Sequence, residues 1–349
     1  MKILQEYTLN ELKAEMDARA VKRFRAEQIF SFASNYTPIE DMSNLPKELR
    51  EELAKEFTAT PVTIYKEFIS KDGTIKFLFK LADDNIVEGV LMKYKYGNTI
   101  CISTQVGCRM GCVFCASGID GKLRDLSAGE MMGEVLAVNK YLGGGLKEDR
   151  KITNIVLMGS GEPLDNYDNV VKFIKLISSN EGINISQRNI SLSTCGIAPK
   201  IRKLADEDLG ITLTISLHAT TDENRRKIMN IASAYSLADL IESIQYYYKK
   251  TKRRIVFEYI LSRGNVSKDD ARRIASLTKG VMTHINMIPI NRTPTSPLVP
   301  ANKEKVTEFF EGLKSAGISA TTRRTLGADI DGACGQLRRR VIKEETENQ

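Results

Sequence analysis

From about residue 99 onward, short apolar segments alternate with segments whose apolar residues recur at helical spacing. The segments predicted as strands are TICIST, ITNIVLMG, NISLST, ITLTISLH, RIVFEYIL, HINMIPI and GISATTRR. The helical patterns between them include SAGEMMGEVLAVNKYL, NYDNVVKFIKLISSN, SLADLIESIQYYYKK and NKEKVTEFFEGLKSAG. This alternation is typical of βαβ units and predicts an α/β fold around a parallel sheet. About six units fit a partial (βα)6 barrel better than a closed barrel of eight, and ligands should gather at the carboxyl ends of its strands.

The residues before this alternation show two other patterns. Residues 1–60 have the spacing of short amphipathic helices, which predicts either a helical accessory domain or packing support for the main domain. In residues 61–98, apolar and polar side chains alternate in VTIYKEFIS, TIKFLFKLA and IVEGVLMKYKY, with an Asp-Gly turn between the first two. Such a pattern predicts antiparallel hairpins that lead into the main sheet. We therefore predict a helical domain at 1–60, a small antiparallel β extension at 61–98, and the partial barrel with a C-terminal cysteine segment at 99–349.

The composition limits the class of protein. Hydrophobic residues make up 42% of the 349 residues, and no segment approaches the ~20 apolar residues that cross a bilayer. The amino terminus lacks the apolar core of a secretory signal, so we expect a cytoplasmic protein that does not bind a membrane. Its six cysteines would then stay reduced, which favours metal binding or redox chemistry over structural disulfides. The net charge of +7 favours acidic partners without identifying one.

Three cysteines follow the first predicted barrel strand in the stretch CISTQVGCRMGCVFCASG. Cys108, Cys112 and Cys115 are separated by three and then two residues, a spacing suited to a metal site. Thiolates bind both zinc and iron–sulfur clusters. Structural zinc usually takes four protein ligands, so a zinc site would need a fourth from Cys101, Cys195, Cys334 or a histidine. On a cluster of four irons, three ligands would leave one iron open to a substrate.

Polar side chains end the next strands of the predicted barrel, where bound molecules should lie. The stretch MGSGEPLDN has glycines that allow close backbone approach and a carboxylate that could accept hydrogen bonds from an ammonium group. The candidate contacts at these strand ends are Gly161, Glu162, Ser193, Ser216, Leu217, His218 and Asn291. By itself, a lone histidine such as His218 is more often structural than functional.

Two further cysteines lie far apart in the sequence. Cys101 begins the strand that leads into the cysteine loop, and by itself such a cysteine is usually a small buried apolar residue. Cys334 lies in the polar, glycine-containing segment ADIDGACGQL, which is unlike a core segment. Arginines surround Cys334 in the sequence, namely Arg323, Arg324, Arg338, Arg339 and Arg340. They could attract phosphates to this cysteine or form a solvated face.

The CxxxCxxC stretch resembles the radical S-adenosylmethionine (SAM) superfamily, whose fold is a partial (βα)6 barrel. The resemblance implies a 4Fe–4S cluster held by Cys108, Cys112 and Cys115, with its open iron bound to the amino and carboxylate groups of SAM. It also implies that reduction releases a 5′-deoxyadenosyl radical, and that Gly161 and Glu162 bind the SAM amino group. The other SAM contacts that it implies are Ser193, Ser216, Leu217, His218 and Asn291.

Nearly the whole chain resembles one branch of that superfamily, the RlmN-type RNA adenine methyltransferases. The shared motifs, in the family's order, are FRAEQIF, CISTQVGC, GEPLDN, ISLHA and DIDGACGQL. The resemblance implies methylation of carbon 2 of adenosine in 23S rRNA, near the peptidyl-transferase region, and in tRNA next to the anticodon. The resemblance also implies two molecules of SAM per turnover, because carbon 2 is electrophilic and ordinary nucleophilic attack on SAM cannot methylate it.

The same resemblance implies roles for individual residues. Cys334 would form an S-methylcysteine intermediate, and Cys101 would resolve the protein–RNA adduct through a transient disulfide with Cys334. Glu88 would accept the proton in the second half of the reaction. The stretch STCG contains Cys195 where relatives often have serine, so we expect Cys195 to have no catalytic part.

The resemblance also implies partners and leaves alternatives. The expected partners are 23S rRNA, tRNA and an electron donor such as flavodoxin, with the chain as a monomer and residues 1–60 helping to recognise RNA. The nearest alternative is a Cfr-type enzyme that methylates carbon 8 of adenosine, although the motifs GEPLDN and TQVGC favour the RlmN branch. Remoter alternatives are a non-catalytic RNA-binding protein with zinc and a radical SAM enzyme that acts on a small molecule.

Overall fold

The amino-terminal part of the chain is helical and has an apolar core of its own. The computed structural model describes residues 1–291, 293 and 296–337, so Arg338, Arg339 and Arg340 lie outside the described residues. The first elements are β1 (Lys2–Ile3), α1 (Leu9–Ala18), α2 (Phe24–Ser34), α3 (Lys47–Glu56) and β2 (Phe57–Thr58). The side chain of Thr8 caps α1 together with Glu11. Leu12, Ile29 and Phe57 are among the fully buried residues of this core, and the domain boundary at residue 60 stays a prediction.

Four antiparallel strands follow, as the alternating sequence pattern predicts. They are β3 (Val62–Ile69), β4 (Ile75–Leu81), β5 (Ile86–Tyr94) and β6 (Gly97–Ile102). One face of these strands carries large apolar side chains such as Phe77 and Phe79, which are fully buried in the main core. The opposite face carries Val90 and Cys101, which pair across β5 and β6. Strand β6 therefore ends the antiparallel extension and also begins the barrel.

The remaining strands and helices alternate along the chain. The strands are β7 (Gln105–Gly107), β8 (Lys122–Asp125), β9 (Ile152–Leu157), β10 (Ile190–Thr194), β11 (Thr212–Ser216), β12 (Ile255–Leu261), β13 (Thr283–Pro289) and β14 (Ser319–Thr322). The helices are α4 (Ala128–Tyr141), α5 (Tyr167–Ile177), α6 (Ala198–Ala205), α7 (Asp222–Ile228), α8 (Leu237–Thr251), α9 (Lys268–Leu277) and α10 (Lys303–Ser315). Strands β7 and β8 form a small antiparallel pair around the cysteine loop, which the sequence pattern did not predict.

The main sheet has ten strands in the order β14-β13-β12-β11-β10-β9-β6-β5-β4-β3. Strands β6 and β9–β14 run parallel to one another, which confirms the predicted α/β fold and the seven predicted strands. Among the described strands, β14 and β3 lie at the two edges, so the sheet is a partial barrel and does not close. Within the described part of the chain, no helix is long and apolar enough to cross a membrane.

The helical amino-terminal part packs on the start of α4. The side chain of Glu6 accepts a hydrogen bond from the backbone N–H of Gly129, in the first turn of that helix. A carboxylate is favoured there because the first N–H groups of a helix have no partner within it. The hydroxyl of Tyr36 also contacts the backbone of Val62 at the start of β3. These contacts fix the amino-terminal part against α4 and the start of β3.

Candidate active site

A cleft of about 950 Å³ lies at the carboxyl ends of the barrel strands, where the fold predicts a ligand. It is lined by most of the sequence-predicted site residues, namely Cys108, Cys112, Cys115, Gly161, Glu162, Ser193, Ser216, His218, Asn291 and Cys334. Leu217 does not line it, because its side chain is fully buried in the apolar core. Cys101 and Glu88 line two other cavities. The sequence therefore predicted residues that are together in space, although most come from different strands.

Tight backbone contacts shape the cysteine loop, which lies between β7 and β8. Gly107 has φ +77°, and a Cβ atom on it would lie 1.9 Å from the carbonyl oxygen of Gly121. Only glycine fits there, because a side chain would clash and that backbone conformation is strained for other residues. At the next residue, the N–H of Cys108 donates a hydrogen bond to the same Gly121 oxygen, at 3.1 Å. These contacts fix the backbone of Cys108, the first cysteine of the loop, directly after β7.

Asp165 anchors this loop from the next strand–helix connection. Its carboxylate accepts hydrogen bonds from Gln105 at 2.9 Å and from Lys122 at 3.0 Å, and it pairs with both ends of the Arg109 guanidinium. Burial would raise the pKa of Asp165, but the donors Arg109, Gln105 and Lys122 lower it below its usual value. Gln105 also accepts a hydrogen bond from the backbone N–H of Glu162 at 2.9 Å. One amide side chain therefore links the cysteine loop to the Gly-Glu-Pro turn.

Replacing Asp165 with asparagine should loosen the cysteine loop. The variant keeps the size of the side chain but loses the charge that holds Arg109 and Lys122, and leaving such donors poorly paired is costly. We expect iron to leave the reconstituted variant about tenfold faster in the presence of a chelator, which corresponds to a change of roughly 1.4 kcal/mol. Asp168→Asn is the matched control, because that carboxylate is 88% exposed and lies in the same segment. Equal rates for both variants would contradict the anchoring role.

The three thiols fit an iron–sulfur cluster by their chemistry and their common cleft. Burial raises the pKa of Cys108 to about 12 and also raises that of Cys112, and bound metal would favour the thiolates. Among the described residues, no three Cys, His, Asp or Glu side chains are grouped as ligands of a single metal ion, so the fit of the three thiols to a cluster depends on their chemistry and their common cleft. Cys195 and Cys334 line the same cleft, so geometry leaves open a fourth thiol ligand.

Glu162 lies buried at the floor of the cleft. Its two carboxylate oxygens accept hydrogen bonds from the backbone N–H groups of Cys195 at 2.7 Å and Leu164 at 3.0 Å. Burial raises the pKa of Glu162, although these N–H donors oppose that shift. Gly161 has φ +107°, and a Cβ atom there would lie 2.7 Å from Gln105. The backbone of the turn therefore brings this carboxylate to the wall of the cleft, where it can accept hydrogen bonds from a bound ammonium group.

His218 is held as a neutral acceptor. Burial, with help from nearby Arg225, lowers the pKa of His218 to about 3. Its Nδ1 accepts a hydrogen bond from the N–H of Ile260 at 3.2 Å, and its ring packs nearly perpendicular to that of Phe114, with the ring centroids 4.7 Å apart. His218 also has φ +56°, so its backbone turns sharply at the end of β11. His218 therefore supports the fold and also lines the cleft. It has both the structural position and the ligand-facing position that the sequence left as alternatives.

Two charged residues lie in this region. Glu258 was not predicted from the sequence, and Arg323 was predicted to attract phosphates or to form a solvated face. Glu258 interrupts the apolar strand β12, and its carboxylate accepts hydrogen bonds from Arg323 at 3.1 Å and from Ser193 at 3.3 Å. The side chain of Arg323 is only 21% exposed and lines the cavity that contains Cys334. Arg323 is therefore an internal ion-pair partner instead of the phosphate contact that its position in the sequence suggested. A charge within an otherwise apolar strand was the signal for Glu258.

The two distant cysteines line one cavity of about 620 Å³ beside the cleft. Cys101 and Cys334 are free thiols, and Cys334 also lines the larger cleft, so the two spaces meet at this residue. Burial raises the pKa of both thiols, and the Arg323 guanidinium opposes that shift for Cys334. Asn291 donates a hydrogen bond to the carbonyl oxygen of Cys334 at 3.0 Å. Cys334 thus lies where the cleft of the loop cysteines meets the cavity that Cys101 lines.

The segment around Cys334 is attached directly to the cysteine loop. The N–H of Ala116 donates to the carbonyl oxygen of Gly335 at 2.7 Å, and the hydroxyl of Ser117 donates to that of Leu337 at 3.0 Å. Glu88 lies behind this contact, in a cavity of about 330 Å³ that shares Ser117 with the cysteine cavity. The cavity of the predicted proton acceptor and the cavity of the cysteine pair therefore share one lining residue, Ser117.

Comparisons with known proteins agree with this arrangement. A family model described as the radical SAM superfamily matches residues 102–277, which include the three loop cysteines but not Cys101 or Cys334. A protein of Clostridium botulinum named "Probable dual-specificity RNA methyltransferase RlmN" is 49% identical over 348 residues, covering 99% of each chain. A protein of the same name from Clostridium novyi is 48% identical over 98% of this chain and 99% of its own.

A solved structure extends the likeness to three dimensions. The crystal structure of a radical SAM methyltransferase from Sphaerobacter thermophilus has a TM-score of 0.92 and 40% sequence identity, and it covers 97% of this chain and 100% of its own. These comparisons confirm the resemblance that the motifs indicated. The chain therefore belongs to the radical SAM superfamily and, within it, to the RlmN family.

Proposed function

We propose that this protein is an RNA methyltransferase that uses radical SAM chemistry to methylate carbon 2 of adenosine. One observation carries the proposal: Cys101 and Cys334, 233 positions apart in the sequence, line one cavity that joins the cleft of the three loop cysteines. A pair of thiols beside a radical-generating site suits a reaction that proceeds through a covalent link to the protein. The names of the relatives support RNA as the substrate.

The residues of the cleft fit a 4Fe–4S cluster and SAM. Cys108, Cys112 and Cys115 would hold the cluster, and Glu162 would accept hydrogen bonds from the amino group of SAM. When bound, the cluster supplies the electron that cleaves SAM and produces the 5′-deoxyadenosyl radical. Ser193, Ser216, His218 and Asn291 line the same cleft and would contact the rest of the SAM molecule. Leu217 could contribute only through its backbone, because its side chain is buried.

Cys334 would first take a methyl group from one SAM. The thiolate sulfur forms the new bond to the methyl carbon, and the sulfonium sulfur of SAM leaves with the electron pair of the bond that breaks. Burial disfavours the thiolate that this step needs, whereas the neighbouring Arg323 guanidinium favours it. The cleavage of a second SAM then permits removal of one hydrogen atom from the S-methyl group. The resulting methylene radical adds to carbon 2 of adenine, so that the RNA is linked to the protein and one unpaired electron remains on the adenine ring. That electron returns to the electron-transfer system when carbon 2 loses its proton, which restores the closed-shell aromatic ring.

Cys101 would end this covalent link. Its thiolate attacks the sulfur of Cys334, and the carbon–sulfur bond breaks with its electron pair on the former methylene carbon. That carbon takes up a proton and becomes the new methyl group, while Glu88 accepts the proton lost from carbon 2. The product state has a disulfide between Cys101 and Cys334, which a cellular dithiol must reduce before the next turnover.

We propose 23S rRNA and tRNA as substrates and a low-potential electron-transfer protein such as flavodoxin as the electron donor. An enzyme that reacts with a base must take it out of the stack, so single-stranded loops are the least costly targets. Arg324 is exposed beside the cavity that contains Cys334, and it would contact the phosphates near the target base. Residues 1–60 would assist as an RNA-recognition domain of a monomeric, cytoplasmic enzyme.

The test is to incubate the reconstituted protein with SAM, a reductant and unmodified 23S rRNA or tRNA, and then to identify methylated adenosine by mass spectrometry. We expect new 2-methyladenosine in at least one of the two RNAs. 8-Methyladenosine would assign the protein to the Cfr-type reaction with the same cysteine chemistry. Cleavage of SAM without any methylated adenosine would overturn the RNA substrate and leave the radical chemistry in place.

A further inference from the structure

Lys76 is a charged side chain buried within the sheet beside Glu88. The two residues are only 6% and 4% exposed, and Nζ of Lys76 lies 3.6 Å from Oε1 of Glu88. Lysine is almost never buried to this extent unless it is paired. Such a pair contributes little to stability, because removing both charges from water offsets much of their attraction. Its presence therefore calls for a reason other than stability.

Strand register places this pair on the reactive face of the sheet. Lys76 faces Val90 across β4 and β5, and Val90 faces Cys101 across β5 and β6. Glu88 is two residues from Val90, so its side chain points to the same face. Phe77 and Phe79 point to the opposite face, into the main core. The sheet thus carries a lysine, a glutamate and the predicted resolving cysteine on one side.

The space in front of Glu88 leads toward the cysteine pair. Its cavity is also lined by Ser117, Ser160 and Asp120, and the two serine hydroxyls are hydrogen-bonded to each other at 3.2 Å. Ser117 in turn lines the cavity of the cysteine pair. Lys76 on β4 contacts Glu88 directly, Asp120 lines the same cavity, and the Cys101 thiol lies on the same face of the sheet. Of these, only Lys76 favours a negative charge on Glu88.

We propose that Lys76 is a positioning residue that keeps the Glu88 carboxylate ionised and directed toward this cavity. The inference rests on the proposed function, in which Glu88 accepts the proton from carbon 2 of adenine. In that step the carbon–hydrogen bond breaks, its electron pair stays on the adenine ring, and the proton goes to the carboxylate. A buried carboxyl group that is already protonated cannot do this, and burial by itself favours the protonated form. The ammonium group of Lys76, packed over the ring of Phe68 at 5.0 Å, offsets that effect.

The test compares Lys76→Met with Lys76→Arg, which is similar in length but retains the charge. We expect Lys76→Met to form 2-methyladenosine about 10- to 100-fold more slowly at neutral pH, because a buried carboxyl group that has lost its neighbouring cation favours the protonated form. The deficit should shrink as the pH rises, and Lys76→Arg should recover the rate to within about threefold. SAM cleavage by Lys76→Met should stay within about twofold of the unmodified protein, because Lys76 is not among the residues that line the cleft.

A second readout is the covalent protein–RNA adduct on a denaturing gel. It should accumulate in Lys76→Met, as it should in Glu88→Gln, because the steps before proton removal do not need these residues. An unchanged rate and pH profile in Lys76→Met would overturn the proposal, as would a loss that is the same at every pH and is not recovered by arginine. If thermal melting shows that the methionine variant does not fold, Lys76→Gln, which is polar but uncharged, takes its place in the same comparison.

The failure of the proposed function gives a different result. If Glu88→Gln methylates as fast as the unmodified protein, Glu88 is not the proton acceptor, and the role of Lys76 is overturned with it. If Glu88→Gln is inactive and accumulates the adduct while Lys76→Met behaves as the unmodified protein, only the role of Lys76 is overturned.

Discussion

Replacing Cys101 with alanine should leave the substrate RNA covalently attached to the protein, whereas replacing Cys334 should abolish both attachment and methylation. The two thiols line one cavity, but only Cys334 also lines the cleft of the loop cysteines. We therefore propose Cys334 as the methyl carrier and Cys101 as the residue that breaks the link. We expect the rate of methylation to fall by at least about 10³-fold in either variant, since each variant lacks a thiol that the proposed route requires.

A denaturing gel with labelled RNA, together with mass spectrometry of adenosine, measures both outcomes. The double variant with alanine at both positions is the control, and it should show no attached RNA because the methyl carrier is missing. Attached RNA in Cys334→Ala would contradict the proposed carrier. Free methylated product from Cys101→Ala at the normal rate would contradict the proposed resolving step.

Replacing Cys108, Cys112 or Cys115 with alanine should remove the cluster. We expect iron and acid-labile sulfide to fall from about four of each per chain to less than about one, because two thiolates are too few to hold a cluster of this type. SAM cleavage should fall below detection in the same variants. The measurement is chemical analysis of iron, sulfide and zinc in protein reconstituted without oxygen.

Cys195→Ala is the matched control, because Cys195 lines the same cleft as the three loop cysteines. The Cys195→Ala variant should retain its iron, since we expect the Cys195 thiol neither to bind the cluster nor to take part in catalysis. Loss of iron from this variant would instead make Cys195 a fourth ligand and remove the open iron on which SAM binding depends. One zinc per chain without sulfide would favour a structural zinc site.

The fold followed from local patterns because those patterns are periodic. The seven predicted barrel strands correspond to β6 and β9–β14, and the helix predicted to begin near Ser127 is capped by that residue. A parallel sheet with helices on its outside buries its strands, so apolar runs alternate with amphipathic segments in the sequence itself. The hairpin of β7 and β8 escaped prediction because it is short and polar, and long-range contacts such as those of Asp165 stabilise it.

The sequence by itself identified the three loop cysteines, the Gly-Glu turn and the polar strand ends, because each has a local signature of spacing or position. It also determined the family through motifs in their order, which the comparisons confirm. Only the tertiary structure decided that Cys101 and Cys334 line one cavity, that Arg323 pairs with Glu258 inside the protein, and that Lys76 lies against Glu88. These contacts depend on strand order and register, which bring together residues that no local pattern relates.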